Sequence, residues 1–371
     1  MKTTLNLLAL KTSLQHLQNS IPSNPQLPIL SSIYLKLEGG ELIMASTDLY
    51  LGVRVKAHVD SKAEFERVVP GDIFKDLVSS FSNEVVELEV KDKELVIESG
   101  ASRLKMPTQS VEEYPDFPQI GGQRIEIEAE VISQIKELVG FAASSDQARP
   151  VLTTVFLNFK DGGLEAVGTD GFRLAVLSFD QIKTKQKSQS SLLIPVRAFN
   201  EVAKILERAG EDRVELHVSQ ELKQIKFEIG EVEVFVRLIE GDYPPYGKII
   251  PPQFEIEAEL LGQDLQDELQ RAFVLAREAS NIVECKLGEE EMVIKSSAPA
   301  AGDYQGKVQV NKLKGSGDKI AFNVKYILEF LSNVKPEKIK FFMNESLKPA
   351  MFTIDGVENF KYIVMPFRVN E

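Results

Sequence analysis

The sequence repeats one pattern of features three times, and this repetition constrains its fold more than any other property. In each copy a short alternating strand runs into a helix, at 4–17 (TLNLLALKTSLQHL), 125–138 (IEIEAEVISQIKEL) and 254–269 (FEIEAELLGQDLQDEL). The second and third copies share the string EIEAE. A second strand and helix follow in each copy, at 67–81, 192–206 and 320–331, and a long hairpin closes it, at 85–99, 213–229 and 338–354.

These features predict an α+β fold made of three repeated units, each with two helices and about eight strands. The unit boundaries are expected at 1–120, 121–250 and 251–371, with proline-bearing linkers near 115–122 and 244–252. The helical spacing of apolar residues predicts a buried stripe on each second helix. The predicted stripes are Ile73, Leu77 and Phe81; Phe199, Ala203 and Leu206; and Tyr326, Phe330 and Val334.

A strand–turn–strand motif recurs in the first two units. Residues 40–55 (GELIMASTDLYLGVRV) match 162–176 (GGLEAVGTDGFRLAV), including Thr47-Asp48 against Thr169-Asp170. Asp170-Gly171 is a hairpin-type turn signal, and taken alone it indicates only a structural turn. Phe172 and Arg173 after the glycine distinguish the second copy.

The chain finishes on an apolar segment, KYIVMPFRVNE at 361–371. Read as a strand, it places Ile363, Met365 and Phe367 on one face, with Val364 and Pro366 on the other. Chain ends are usually frayed and polar. This end is therefore expected either to be pinned into a sheet or to form part of a binding surface.

Composition excludes several classes of function. The single cysteine, Cys285, excludes an internal disulfide and a multi-cysteine metal site, so a reducing cytoplasm is the default expectation. Three scattered histidines (His16, His58 and His217) leave little material for a histidine-based metal site or a general-base triad, and we interpret them as structural or surface residues. No cofactor is expected. No apolar run approaches a membrane span, and the N-terminus is too polar after Leu10 for a signal sequence. Phosphate-binding, dinucleotide-binding, zinc-protease and serine-hydrolase motifs are missing, and we expect no enzyme.

The sequence resembles a known family, the bacterial DNA polymerase III beta subunit or sliding clamp. The resemblance spans the whole chain and is carried by LPILSSIYLKL (27–37), VGTDGFRLAV (167–176), FNVKYILEFL (322–331) and YIVMPFRV (362–369). It implies three clamp domains, each of two helices plus two antiparallel sheets, that form half of a six-domain ring. The implied partners are a second copy of the chain, double-stranded DNA, the replicative DNA polymerase, the clamp loader and other proteins with a clamp-binding motif. No membrane partner is implied.

Ring closure by this resemblance would pair a strand edge of unit 1 with one of unit 3. The expected edges are 99–107 (SGASRLKMP) and 298–310 (APAAGDYQGKVQV). The alternative for either segment is an ordinary solvated edge.

The net charge of −13 does not decide whether the chain binds DNA, because an acidic outer surface is compatible with a local positive face. The candidates for DNA-facing residues lie on the expected helices: Lys75, Lys136, Arg197, Lys204, Arg208, Arg271 and Lys325. The alternative for each is a solvated helix face. A DNA-contacting arginine of relatives corresponds to Asn24 here, so that contact is not expected.

The resemblance also implies a hydrophobic peptide-binding cleft between units 2 and 3. Its residues from unit 2 and the linker would be Leu152, Thr169, Gly171, Phe172, Arg173, Leu174, Pro244, Lys248 and Ile249. Those from unit 3 would be Asn323, Tyr326, Leu347, Pro349, Ile363, Val364, Met365, Pro366, Phe367 and Arg368. Apolar walls suit a leucine and an aromatic anchor, methionine adapts to varied ligands, and Arg173 and Arg368 could bind peptide carbonyls or a carboxylate.

Three positions depart from the family pattern. Phe172 stands where relatives often have histidine, Phe367 where many have an aliphatic residue, and Asn370-Glu371 extend the usual end. Two alternatives remain open at this point: residues 362–369 are only a buried closing strand, or the chain is a triplicated peptide-binding scaffold that never encircles DNA.

Overall fold

The structure is a computed structural model that describes residues 2–160, 162–182, 190–315 and 317–368. The predicted extension at Asn370 and Glu371 therefore lies outside the described residues. The element order confirms the triplication, because the series strand, helix, four strands, helix, three strands occurs three times. The third copy adds one short strand, β21 (Lys312–Lys314). Among the described residues, none of the helices has the length and hydropathy needed to cross a membrane.

The chain folds into two compact units, which do not coincide with the three units of the sequence. From here on, the first unit is residues 1–129 with 200–238, and the second unit is residues 130–199 with 239–371. The middle sequence repeat thus contributes elements to both. The described residues contain six α-helices: α1 (Leu7–Leu17), α2 (Gly71–Ser80), α3 (Ala129–Leu138), α4 (Val196–Ala209), α5 (Gly262–Ala276) and α6 (Val324–Val334).

The first unit contains two antiparallel sheets. The four-stranded sheet has the order β1-β6-β7-β8, with β1 (Lys2–Asn6), β6 (Val85–Lys91), β7 (Glu94–Ser99) and β8 (Ser102–Pro107). The eight-stranded sheet has the order β5-β2-β3-β4-β16-β15-β14-β9. Its strands are β2 (Ser32–Glu38), β3 (Glu41–Thr47), β4 (Leu51–His58), β5 (Phe65–Pro70), β9 (Gln123–Glu128), β14 (Arg213–Ser219), β15 (Gln224–Ile229) and β16 (Val232–Arg237).

The second unit is built in the same way. Its four-stranded sheet has the order β20-β19-β18-β22, with β18 (Ile282–Leu287), β19 (Glu291–Ala298), β20 (Gly302–Gln309) and β22 (Lys319–Asn323). The nine-stranded sheet has the order β13-β10-β11-β12-β25-β24-β23-β17-β21. Its further strands are β10 (Thr154–Lys160), β11 (Gly163–Thr169), β12 (Arg173–Phe179), β13 (Ser190–Pro195), β17 (Ile256–Leu261), β23 (Lys338–Met343), β24 (Ala350–Ile354) and β25 (Val357–Val364).

The helix stripes were predicted correctly on one helix and wrongly on another. On α4, Phe199, Ala203 and Leu206 are all buried, as expected. On α2 the predicted stripe is wrong, because Ile73 is 61% exposed whereas Phe74 and Val78 are fully buried. Both stripes have helical spacing, but they lie about a quarter-turn apart on the helix.

The last strand is shorter than the sequence indicates. β25 ends at Val364, and residues 365–368 continue without regular structure. Pro366 explains the end of the strand, since proline has no N–H to continue the ladder. Ile363 and Val364 are both buried although they point to opposite faces of the strand, so both faces of β25 are covered at its end. The strand faces predicted for Met365, Pro366 and Phe367 are wrong, because these residues lie beyond the strand.

Candidate functional site

The turn between β11 and β12 is held by its own threonine and aspartate. The Thr169 hydroxyl accepts a hydrogen bond from the Gly171 N–H at 3.1 Å and donates one to the Arg173 carbonyl. Asp170 Oδ1 accepts from the N–H groups of Phe172 (2.8 Å) and Arg173 (3.0 Å). Gly171 has a φ of +96°, a conformation that glycine adopts without steric cost. The turn is therefore rigid, and it leaves the Phe172 side chain 56% exposed.

The Arg173 side chain holds this turn in place through its own contacts. Its guanidinium is only 8% exposed, and it forms ion pairs with Asp170 (3.1 Å) and with Glu329 on α6. It also lies 5.1 Å from the centre of the Tyr326 ring. Burial alone would lower the pKa of Arg173, but the neighbouring Tyr362, Glu329 and Asp170 outweigh it and raise the pKa above its ordinary value. The arginine thus stays charged and engaged, which suits a positioning role better than direct contact with a peptide.

The chain end lies directly beside this turn. β12 pairs with β25 so that Arg173 is opposite Val364 and Leu174 is opposite Ile363. Beyond the strand, the Met365 N–H donates to the Phe172 carbonyl at 2.8 Å. The Phe367 N–H donates to the Ala321 carbonyl of β22 at 2.7 Å. These bonds fix the terminal segment although it has left the ladder.

Exposed apolar side chains gather at this junction. Met365 is 37% exposed and Phe367 is 48% exposed. The Phe172 ring stacks on Tyr326, with centroids 6.4 Å apart and planes 12° apart. Asn323 caps α6 by accepting from the Lys325 N–H at 3.1 Å, and this cap fixes the start of the helix that carries Tyr326. The junction is therefore an apolar surface on a rigid, hydrogen-bonded base, which is what a peptide anchor requires.

The proline linker lies against the same sheet. Tyr243 stacks on Phe156 of β10, with centroids 4.5 Å apart, and its hydroxyl donates to the Val167 carbonyl at 3.4 Å. Pro244 follows this tyrosine and is half-buried, while Lys248 and Ile249 are exposed. The linker is thus held by aromatic packing next to the strand that leads into the turn.

The remaining predicted cleft residues are joined less directly. Leu152 lies in a 3₁₀ turn (Pro150–Thr153) that follows Arg149, and the Arg149 guanidinium donates to the Asp170 carbonyl at 3.1 Å. Pro349 precedes Ala350, which pairs with Val364. Leu347 is exposed, and within the described part of the chain no hydrogen bond, ion pair or ring contact joins it to the turn. Arg368 is exposed beside Phe367.

Two residues of the site were not predicted from the sequence. Glu329 pairs with Arg173, and Arg149 holds the carbonyl of Asp170. A signal for Glu329 existed, because it lies three residues after Tyr326 and so shares its helix face. Arg149 carries no such signal, since its partner is a backbone carbonyl.

Family models account for nearly the whole chain. The N-terminal, central and C-terminal domain models of the DNA polymerase III beta subunit match residues 1–118, 126–245 and 247–368, respectively. The chain belongs to the DNA polymerase III beta subunit family. It therefore has three clamp domains of mixed helix and sheet, as predicted, and acts in DNA replication as a sliding clamp of DNA polymerase III.

Individual relatives agree over the full length. The beta sliding clamp of Synechococcus elongatus is 27% identical over 97% of each chain, and that of Staphylococcus epidermidis is 26% identical over 94% of each. The crystal structure of the beta subunit from Thermotoga maritima superposes with a TM-score of 0.92 at 27% identity, covering 100% of both chains. The sliding clamp of Bacillus subtilis shows the same fold, with a TM-score of 0.91 at 24% identity.

The predicted DNA-facing residues lie on five helices of this clamp, α2 to α6. At least four of the seven pair with a carboxylate: Lys75 with Asp72 (3.1 Å), Lys204 with Glu201 (3.6 Å), Arg208 with Glu201 (3.9 Å) and Arg271 with Glu268 (2.9 Å). Arg197 and Lys325 are exposed near the starts of their helices, and Lys136 is half-buried near the end of α3. Asn24 is exposed.

Both strands expected at the ring closure are edge strands. In the described part of the chain, β8 pairs only with β7, and β20 pairs only with β19. Each is the second strand of a hairpin, and each exposes most of its residues. Both edges thus offer unpaired backbone groups.

Two other reactive groups do not form sites. Glu215, His217 and Glu228 bring their possible ligand atoms within 4.8 Å of one another, a cluster that the sequence did not predict. Their carboxylates are already paired, Glu215 with Arg124 and Glu228 with Lys226. Burial raises the pKa of the Cys285 thiol to about 12, which removes it as a nucleophile at neutral pH.

Proposed function

We propose that two copies of this chain close head to tail into a ring around duplex DNA, slide along it without sequence preference, and tether the replicative polymerase and other partners through the cleft. The observation that carries the proposal is the pair of open edge strands, β8 in the first clamp domain and β20 in the third. Pairing β8 of one copy with β20 of the other uses the same contact twice. Such an assembly is closed and terminates at two copies.

The three domains of each copy are proposed to span 1–120, 121–250 and 251–371. The family models match in the same number and order, at residues 1–118, 126–245 and 247–368, so their limits lie within a few residues of the proposed ones. A dimer would then contribute six such domains to the ring.

Contact with DNA is proposed to be weak and electrostatic. Each lysine or arginine that meets a phosphate adds affinity that depends on salt and not on sequence. Since at least four of the seven candidate cations are shared with carboxylates, their attraction for phosphate is moderated. Weak contacts permit sliding, and enclosure of the DNA supplies the persistence that affinity does not.

The cleft is proposed to take short extended peptides with a leucine and an aromatic residue. Phe172, Met365 and Phe367 provide exposed apolar area, and backbone bonds hold all three in place. Arg173 is proposed to keep the turn in position, while Arg368, which is exposed, is the better candidate for a contact with the peptide. No catalytic step is proposed, since the task is attachment.

Sedimentation equilibrium of the chain alone tests the closure. We expect a dimer at micromolar concentration, with no larger species, because both pairs of edges are used up at two copies. A monomer at this concentration, or a series of growing polymers, would contradict a closed ring.

A further inference from the structure

The first unit contains a second copy of the turn that anchors the cleft. Between β3 and β4, the Thr47 hydroxyl accepts from the Leu49 N–H at 3.0 Å and donates to the Leu51 carbonyl at 3.2 Å. Asp48 Oδ1 accepts from the N–H groups of Tyr50 (2.9 Å) and Leu51 (2.7 Å). This is the same hydrogen-bond pattern that Thr169 and Asp170 make, so Tyr50 occupies the position of Phe172.

The strand beside this turn is also repeated. β16 pairs with β4, and the Arg237 N–H donates to the Tyr50 carbonyl at 2.9 Å. In the second unit, Met365 makes the corresponding bond to Phe172 at 2.8 Å. Arg237 therefore occupies the position of the cleft residue Met365.

The proline linker completes the correspondence. Tyr114 stacks on Tyr34 of β2, with centroids 5.6 Å apart, as Tyr243 stacks on Phe156. Pro115 follows Tyr114 as Pro244 follows Tyr243. The turn, the neighbouring strand and the proline linker of the cleft thus each have a counterpart within the first unit.

The turn, the end of β16 and the linker residues after Tyr114 line a cavity of about 130 Å³, which we name the repeat-1 pocket. Its lining includes Leu49, Tyr50, Asp116, Phe117, Phe235 and Arg237. The Phe117 ring packs edge-on against Phe235 at 5.1 Å between centroids, and the Arg54 guanidinium lies 5.1 Å from the Phe235 ring centre. The aromatic side chains of the pocket are therefore already packed, so a ligand would not have to order them on binding.

Two features at the mouth of the pocket favour binding over a purely structural role. Tyr50 is 63% exposed and Leu49 is 45% exposed, so the turn presents apolar area to solvent. Leu49 also has a φ of +75°, where the other copy has Gly171. A leucine in this left-handed region is strained, and such strain is concentrated at functional sites.

Charge distinguishes the repeat-1 pocket from the cleft. Arg237 is exposed, and among the described residues it makes no ion pair. The corresponding residue of the cleft, Met365, is uncharged. Asp116 also lines the repeat-1 pocket, but it forms no ion pair with Arg237. A ligand carboxylate placed on Arg237, away from Asp116, therefore gains an ion pair here, whereas an apolar side chain is favoured at Met365 in the cleft.

We propose that the repeat-1 pocket is a second peptide-binding site of the clamp. It takes a short extended peptide in which an acidic residue meets Arg237 and an adjacent leucine or aromatic residue packs on Tyr50 and Leu49. The proposal rests on the proposed role of the cleft, through the correspondence of the two turns, but not on ring formation.

Binding is tested by fluorescence anisotropy with two labelled peptides, Gly-Asp-Leu-Phe-Gly and Gly-Lys-Leu-Phe-Gly. The background is the full chain with Met365→Ala and Phe367→Ala, which silences the cleft. On this background we expect saturable binding of the Asp peptide at one site per chain. Tyr50→Ala and Arg237→Glu are each expected to weaken it at least 10-fold, and Arg237→Glu to reverse the preference in favour of the Lys peptide.

Leu222→Ala, at an exposed leucine in the turn between β14 and β15, is the matched control and should leave binding unchanged. Absence of saturable binding on the silenced background, or binding that neither pocket variant affects, overturns the second site. A change in the sedimentation mass of Tyr50→Ala without peptide binding overturns it too, because it assigns the patch to self-association. The unmutated chain tests the cleft separately. If the cleft alone does not bind peptide, the unmutated chain and the chain with Met365→Ala and Phe367→Ala will bind the peptide equally.

Discussion

Replacing both Met365 and Phe367 with alanine is expected to weaken the binding of a clamp-binding-motif peptide by about 100-fold or more. Both side chains are exposed in the free chain, and the Met365 backbone is bonded to Phe172, so a peptide anchor at this junction would bury them. Truncation of one well-buried anchor contact typically costs about 2 kcal/mol, and two such losses exceed 100-fold in the dissociation constant. Titration of a labelled polymerase peptide measures the change.

Folding should be almost unaffected by this double change. The bonds that hold the segment come from the backbone N–H groups of residues 365 and 367, which alanine retains. We expect the free energy of unfolding to change by less than about 1 kcal/mol, as for other partly exposed side chains. Leu222→Ala removes a similarly exposed side chain outside the cleft and serves as the control. Unchanged peptide affinity in the double variant would contradict the assignment of residues 363–368 to the cleft.

A proline in the edge strand β8 is expected to break the dimer without unfolding the chain. In the β7–β8 register, Pro107 is opposite Glu94 and Lys105 is opposite Val96, two residues along. Because Pro107 has no N–H to give to β7, the alternation of the ladder directs the N–H of Lys105 to the open edge as well. Lys105→Pro therefore removes a donor that only the partner copy would use. The dimer dissociation constant should rise on the order of 100-fold.

The side chain of Lys105 is controlled separately. It pairs with Glu94 at 3.5 Å on an exposed surface, and such a pair contributes little. Lys105→Ala should therefore keep the dimer, while Lys105→Pro sediments as a monomer with an unchanged circular dichroism spectrum. If the proline variant remained fully dimeric at low concentration, β8 would not be the interface.

The fold was largely predictable because it is a triplication. The strand–helix patterns at 4–17, 125–138 and 254–269 each became a strand followed by a helix, since the hydrophobic period changes from two to near 3.6 at the same place. The prediction of the buried helix face was wrong where the sequence contains two apolar stripes of helical spacing. α2 has stripes at Ile73 and at Phe74, and only packing against its neighbours decides between them.

The division into two compact units was not visible in the sequence either. Strand pairing between β4 and β16, and between β12 and β25, joins one repeat to the next. Such long-range edge pairing depends on the register and exposure of both partners, and periodicity reports neither.

The sequence proposes which types of residue form the candidate site, and the structure adds which of them are exposed. The sequence identified Phe172, Met365 and Phe367, and each has the exposure that a peptide anchor needs. It also assigned Arg173 a contact with the peptide, whereas that guanidinium is buried between Asp170 and Glu329. The difference arises because the partner of a buried charge is set by tertiary packing.

The central claim is that enclosure, and not affinity, keeps this protein on DNA. It is tested most directly by assembling the clamp on a nicked circular DNA with a clamp loader, removing free protein, and following retention before and after the circle is cut once. We predict stable retention on the circle and loss within minutes after cutting, at the same salt concentration. Equal retention on circular and linear DNA would contradict the account.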